Sequence, residues 1–190
     1  ERGLVIVCKN YAGSVSRGRL KQSDMDRTLS QITGSTEIAD AADADIVIEA
    51  VFEDLDLKQQ IFRSLDSICR PDAILASNTS TLDIDAIANV TKRPESVVGT
   101  HFFSPANVMK LMENVRGAQT APDVIVSVMQ LARKLGKVPV LARVCDGFIG
   151  NRMLHAYTRQ ANFLLEEGAL PQQVDRVIFE FGFPMGPFAM

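Results

Sequence analysis

The spacing of apolar positions changes along the chain, and each change marks an element. Residues 1–32 carry two stretches of helical period, Leu4–Val15 and Met25–Ile32, parted by the polar run SRGRLKQSD, with Ser23 placed to cap the second. A helical hairpin is predicted there, followed by a short polar strand near Ser35–Ile38. The dense apolar run Ile46–Val51 is too short for a helix and rich in β-branched residues, so it predicts a buried parallel strand. Behind Asp54 a helix is predicted over Leu55–Ile68, where Leu57, Ile61, Leu65 and Ile68 recur at helical spacing and Pro71 closes it off. The alternation continues with a strand at 73–77, a helix at Ile84–Ala88, strands at Val97–Phe103 and Met109–Val115, a helix at Pro122–Leu135 and a strand at Lys137–Leu141. Strands alternating with helices predict an open α/β sheet.

At Asp146 the pattern turns all-helical. A single long period runs from Gly147 to Glu167, and a second helix at Gln172–Phe181 follows the break Gly168–Pro171. Two domains are therefore expected, 1–145 and 146–190, with the boundary near Arg143–Gly147. The chain begins on Glu1 and ends on the apolar GFPMGPFAM, which reads as a piece of a longer chain.

Composition narrows the function. With 46% hydrophobic residues the chain can bury a sizeable core, which excludes a disordered protein. A net charge of −3, with no Lys/Arg run longer than a pair, offers no electrostatic footprint for nucleic acid or a membrane surface. Cys8, Cys69 and Cys145 are far apart and lack metal-ligand spacing, so they read as reduced residues of an intracellular protein. No apolar run approaches the roughly 18–20 residues needed to span a bilayer.

Of the two histidines, His101 ends a buried strand and His155 lies within the long helix. Ligands of open α/β sheets bind outside the carboxyl ends of the strands, which favours His101 for proton transfer; a core histidine with one satisfied hydrogen bond is the other reading. If the turn SPANV centres near Asn107, His101 and Glu113 each lie six residues from it and face one another across an antiparallel pair. A carboxylate there can fix the imidazole tautomer, or Glu113 is simply an exposed strand residue. SNTST at 77–81 offers hydroxyl and amide groups at a strand end, where a substrate or cofactor could be hydrogen-bonded, or an ordinary turn with a helix cap. Glu53 and Lys58 occupy the equivalent crossover, where a solvated helix start is the plain alternative, and Asn151 either faces a cleft or is solvated. There is no G-x-G-x-x-G, no P-loop, no clustered Cys/His metal set and no G-x-S-x-G elbow.

Taken together, EAVFED, ASNTSTL, GTHFFSPANVMKLMENVRG, LGKVPV, DGFIGNR and GFPMGPFAM resemble the L-3-hydroxyacyl-CoA dehydrogenases of fatty-acid β-oxidation. HFFSP and FGFPMGPFAM look most like the dehydrogenase part of multifunctional enzymes fused to an enoyl-CoA hydratase/isomerase. The resemblance implies a Rossmann-like doubly wound sheet and NAD-dependent oxidation of a (3S)-3-hydroxyacyl-CoA to the 3-ketoacyl-CoA. Residue by residue, it makes His101 the catalytic base and Glu113 its orienting carboxylate. Ser80 would touch both substrate and nicotinamide, and Asn151 would hold the substrate carbonyl. Glu53 and Lys58 would contact the cofactor near the nicotinamide ribose. Ser104 stands where many members carry asparagine in a cofactor contact, and Lys9 falls where the helical hairpin meets coenzyme A.

In the family the first strand, the glycine-rich turn and the acid that holds the adenine ribose come earlier than the residues matched here. The resemblance therefore implies a sheet lacking its first strands, and 190 residues that alone bind NAD poorly and are inactive. A homodimer through the helical domain is the family's common assembly. The compartment would be bacterial cytoplasm, a peroxisome or a mitochondrion. Two rival readings remain: a noncatalytic relative of the same fold, and a dehydrogenase of small hydroxy acids without coenzyme A.

Overall fold

The computed structural model describes residues 2–190, and its backbone packing divides the chain into two units, Glu1–Asp40 and Ala41–Met190. In the first unit, α1 (Arg2–Ser16) and α2 (Gln22–Leu29) pack as the predicted hairpin, with no buried residue in either helix. Ser23 does not cap α2. The N-cap is Lys21, because the helix starts at Gln22, whose side chain bonds Asp26 at 2.8 Å and leaves Ser23 inside the first turn. The strand expected near Ser35–Ile38 is also absent. Ser35 Oγ instead bonds Asp40 and accepts the N–H of Glu37 at 3.0 Å, a local serine turn that leads into a 3₁₀ segment at Ile38–Ala41.

The second unit is a five-stranded sheet with the spatial order of the sequence: β1 (Ile46–Glu49), β2 (Ile74–Ser77), β3 (Val97–Phe102), β4 (Leu111–Arg116) and β5 (Val138–Arg143). Neighbours run parallel except β3 and β4, which form the predicted hairpin. Period-2 alternation sends side chains to two faces. Leu75, Val97 and Val115 pack with Phe62 and Leu65 of α3 (Leu55–Ile68) and with Ile84 and Ile87 of α4 (Ile84–Ala88). Ala76 and Val98 point the other way, onto Val124 and Val128 of α5 (Pro122–Lys134). Helices on both faces make this a Rossmann-like α/β fold, as expected.

Local chemistry explains the element ends. Asp54 caps α3 by accepting the N–H of Leu57 at 2.8 Å, and Asp83 caps α4 in the same way. β1 stops at Glu49, short of the predicted Val51, because the N–H of Val51 turns to the Glu49 carboxylate at 2.6 Å. β4 starts at Leu111 rather than Met109, since the N–H groups of Val108 and Met109 are both held by the Pro105 carbonyl. Beyond β5, the two helices α6 (Gly150–Glu166) and α7 (Pro171–Glu180) complete the unit. α6 begins three residues later than its apolar period suggested. Gly147 (φ 67°) and Phe148 (φ 46°) are left-handed, and a Cβ on Gly147 would stand 2.7 Å from the backbone nitrogen of Arg152.

Candidate active site

β3 and β4 pair in the register that places His101 directly opposite Glu113. Nδ1 of His101 lies 2.8 Å from Oε2 of Glu113. The carboxylate is closed to solvent and the imidazole is 7% exposed, so Glu113 is not the exposed strand residue that pattern alone allowed. A buried carboxylate needs hydrogen-bond donors. Its other oxygen, Oε1, accepts the N–H groups of Gly150 at 2.7 Å and Ile149 at 3.1 Å, the first turn of α6. Two aromatic rings wall the imidazole, Phe103 at 4.2 Å and Phe148 at 6.1 Å between centroids. With Nδ1 engaged, Nε2 is the nitrogen left for a ligand.

A second cluster forms where β1 and β2 end. Oε1 of Glu53 accepts hydrogen bonds from the Thr79 hydroxyl (2.6 Å), the Ser80 N–H (2.8 Å), the Ser80 hydroxyl (3.1 Å) and the Thr81 N–H (3.3 Å). Partial burial pushes the Glu53 carboxyl up, but the bonds from Thr79 and Ser80, with the charge of Lys58, outweigh it and hold it below the ordinary glutamate value. Asn151, one residue into α6, donates from Nδ2 to the Ser80 carbonyl at 3.4 Å, which brings the long helix to the same strand ends.

Lys58 is wholly buried, its ammonium against Glu49, and is not part of a solvated helix start. Ser104 lies exposed just past β3, and His155 is exposed on α6. Lys9 is exposed on α1, in the first unit. Sequence reasoning missed Glu49 and Phe148, whereas Asn78 falls within the SNTST motif it singled out. An acid inside the run IVIEAV was the available signal for Glu49. Nothing in the pattern pointed to Phe148 as a wall of the imidazole.

The carboxyl ends of β1, β2 and β3, where ligands of open α/β sheets bind, thus carry a His–Glu pair and a hydroxyl-bound carboxylate. Against this geometry, the family model for the NAD binding domain of 3-hydroxyacyl-CoA dehydrogenase matches residues 1–145, and the model for the C-terminal domain matches residues 147–190. The chain belongs to the 3-hydroxyacyl-CoA dehydrogenase family. It is 52% identical over 170 residues to the Peroxisomal bifunctional enzyme of Danio rerio, covering 90% of this chain and 24% of that one. It is 45% identical over 190 residues to a Peroxisomal fatty acid beta-oxidation multifunctional protein of Arabidopsis thaliana, covering all of this chain and 26% of the relative. The chain therefore spans about a quarter of the length of these curated relatives. Among solved structures, the 3-hydroxybutyryl-CoA dehydrogenase of Escherichia coli superposes with a TM-score of 0.93 at 40% identity, over 98% of this chain and 40% of that one.

The residues fit a ribose and a flat ring, groups that NAD, the cofactor of this family's NAD binding domain, carries. Glu53 keeps 37% of its side chain exposed, so the carboxylate is reachable by ribose hydroxyls. Beside it, Ala50, Val51, Phe52 and Leu57 line an apolar depression, and Phe52 is 85% exposed. An apolar shelf next to an anchored carboxylate suits a flat ring joined to a sugar.

Proposed function

We propose that this chain forms the catalytic region of a 3-hydroxyacyl-CoA dehydrogenase that oxidises (3S)-3-hydroxyacyl-CoA to 3-ketoacyl-CoA in fatty-acid β-oxidation. The observation that carries this reading is the His101–Glu113 pair at the end of β3. Alcohol oxidation needs a base to take the hydroxyl proton as the carbon-bound hydrogen leaves with its electrons. NAD, when bound, supplies the acceptor for that hydride. Nε2 of His101 takes the proton, while Glu113 holds Nδ1–H and stabilises the imidazolium that forms. The Ser80 hydroxyl, placed by Glu53, touches substrate and nicotinamide, and the Asn151 amide orients the substrate carbonyl. Glu53 and Lys58 are read as contacts of the nicotinamide ribose, Ser104 as a further cofactor contact and Lys9 as a contact of coenzyme A.

The bifunctional and multifunctional names of the relatives support a second catalytic module in the full-length protein, for which enoyl-CoA hydratase/isomerase is our reading. Their peroxisomal names favour that compartment, and residues 146–190 are read as the start of the helical domain through which a homodimer would form. The deciding test follows NADH formation from 3-hydroxybutyryl-CoA by the full-length protein, beside its His101→Ala variant and with free 3-hydroxybutyrate. Turnover of the thioester alone, lost in the variant, supports the proposal. A silent wild-type protein sinks it in favour of a noncatalytic relative, and equal use of the free acid moves it to a small hydroxy-acid enzyme.

A further inference from the structure

Hairpin connections are commonly about 2–5 residues long, and the one between β3 and β4 is longer. The last ladder pair is Phe102 with Met112, so residues 103–111 leave the sheet and strand pairing does not fix them. Inside this turn the Pro105 carbonyl takes the N–H groups of Val108 at 2.9 Å and Met109 at 3.0 Å. Among the described residues, no backbone N–H reaches the carbonyls of Ala106 and Met109. Both are taken by one side chain from outside the hairpin. Nζ of Lys137 donates to the Met109 carbonyl at 2.7 Å and to the Ala106 carbonyl. An ammonium has three donors and no acceptor, which suits a bridge between two carbonyls.

Lys137 is itself held in place. α5 ends on the left-handed Gly136 (φ 71°), whose N–H returns to the Arg133 carbonyl at 2.9 Å, while the Lys137 N–H returns to the Ala132 carbonyl at 2.9 Å. The next N–H, that of Val138, donates to the Lys110 carbonyl at 2.8 Å, so β5 starts against the foot of the turn. Ser104 stands at the other foot, one residue beyond Phe103, whose ring lies 4.2 Å from the imidazole of His101. We propose that Lys137 is a positioning residue: it clamps the β3–β4 turn and thereby holds Ser104 at the cofactor. His101 and Glu113 lie within the ladder and keep their places without it. The part played by Ser104 rests on the dehydrogenase reading above.

The test uses the full-length protein with Lys137→Met, Lys137→Arg, Ser104→Ala and the double variant of Lys137→Met with Ser104→Ala. Lys137 is half-buried and pairs with no carboxylate among the described residues, so Lys137→Met strands no charge. It should raise KM for NAD by about 5–20-fold, with kcat and KM for 3-hydroxybutyryl-CoA held within about twofold. Lys137→Arg should recover most of that loss, because a guanidinium also donates to two carbonyls. The double variant should have a KM for NAD no higher than the worse single one, since both act on one contact. Deuterium uptake of the segment 104–110 should rise in Lys137→Met and not in Lys137→Arg. An unchanged KM for NAD beside raised uptake would make the clamp merely structural and overturn the proposal. So would a multiplicative rise in the double variant, an arginine variant no better than the methionine one, or a fall in kcat with KM for NAD unchanged. If the wild-type protein oxidises no 3-hydroxyacyl-CoA, the dehydrogenase reading falls and takes the Ser104 step with it. The exchange measurement then still judges the clamp, which unchanged uptake at 104–110 in Lys137→Met would overturn.

Discussion

Oε1 of Glu113 accepts the backbone N–H of Gly150 at 2.7 Å, so the carboxylate that holds His101 also holds the start of α6. One side chain thereby ties the hairpin to the long helix, and its two oxygens face donors of two kinds. Replacing it by glutamine puts an amide N–H against either the imidazole Nδ1 or the helix N–H groups. His101→Ala should lower kcat by at least about 1,000-fold with an unchanged circular dichroism spectrum, and Glu113→Gln by about 100-fold, within the range for proton transfer by a positioned side chain. A Glu113→Gln enzyme of normal turnover would remove the carboxylate from the mechanism.

Gly150 is also a point of close approach. A Cβ there would stand 2.8 Å from Cζ of Phe103, and that ring lies 4.2 Å from the imidazole. Gly150→Ala must therefore displace the ring that covers His101. We expect kcat to fall about tenfold and stability by about 1–3 kcal/mol, the usual cost of overpacking. Phe103→Leu in the same chain should recover part of both losses. Kinetics and urea unfolding of the single and double variants check this, and an additive loss would locate the damage elsewhere.

What the sequence made legible follows from how local each cause is. α4 lies at its expected bounds, as does α3, because apolar spacing and an aspartate cap act within a few residues. His101 and Glu113 were found from equal distances to one turn, since a hairpin converts spacing directly into register. Lys58 was not legible as a buried residue. Its burial depends on Glu49 nine positions away and Asn78 twenty away, contacts that only the sheet creates. The missing strand near Ser35 shows the converse, because a hydroxyl bonding its own neighbours overrode a weak β pattern.

Phe148 sits at φ 46° with 1% exposure, packed in the core shared by α3, α4 and the sheet. The left-handed backbone costs about 1–2 kcal/mol for a residue with a side chain, and burial of the ring offsets it. Phe148→Ala keeps the strained backbone, loses the ring and opens a space beside His101. Its expected cost is about 3–5 kcal/mol by urea unfolding, with turnover per folded molecule also reduced. A loss under about 1 kcal/mol would mean that the turn is held by Gly147 alone.

Glu53 sets a pH dependence whose sign can be worked out. Although burial pushes its carboxyl up, the hydrogen bonds from Thr79 and Ser80 and the charge of Lys58 leave it lower in the folded chain than in the unfolded one. A carboxylate of depressed folded pKa contributes stability that is complete above its unfolded value of about 4.3 and is lost as pH falls through the folded value. Glu53→Gln cannot make that contribution at any pH. The difference in melting temperature between wild type and variant should therefore stay constant from about pH 7 to pH 5, then shrink on further acidification. Deuterium uptake at 78–82 should follow the same course, because the Ser80 and Thr81 N–H groups lose their charged acceptor. A difference that persists unchanged to pH 3, or grows there, would show that the carboxylate is not what holds this loop.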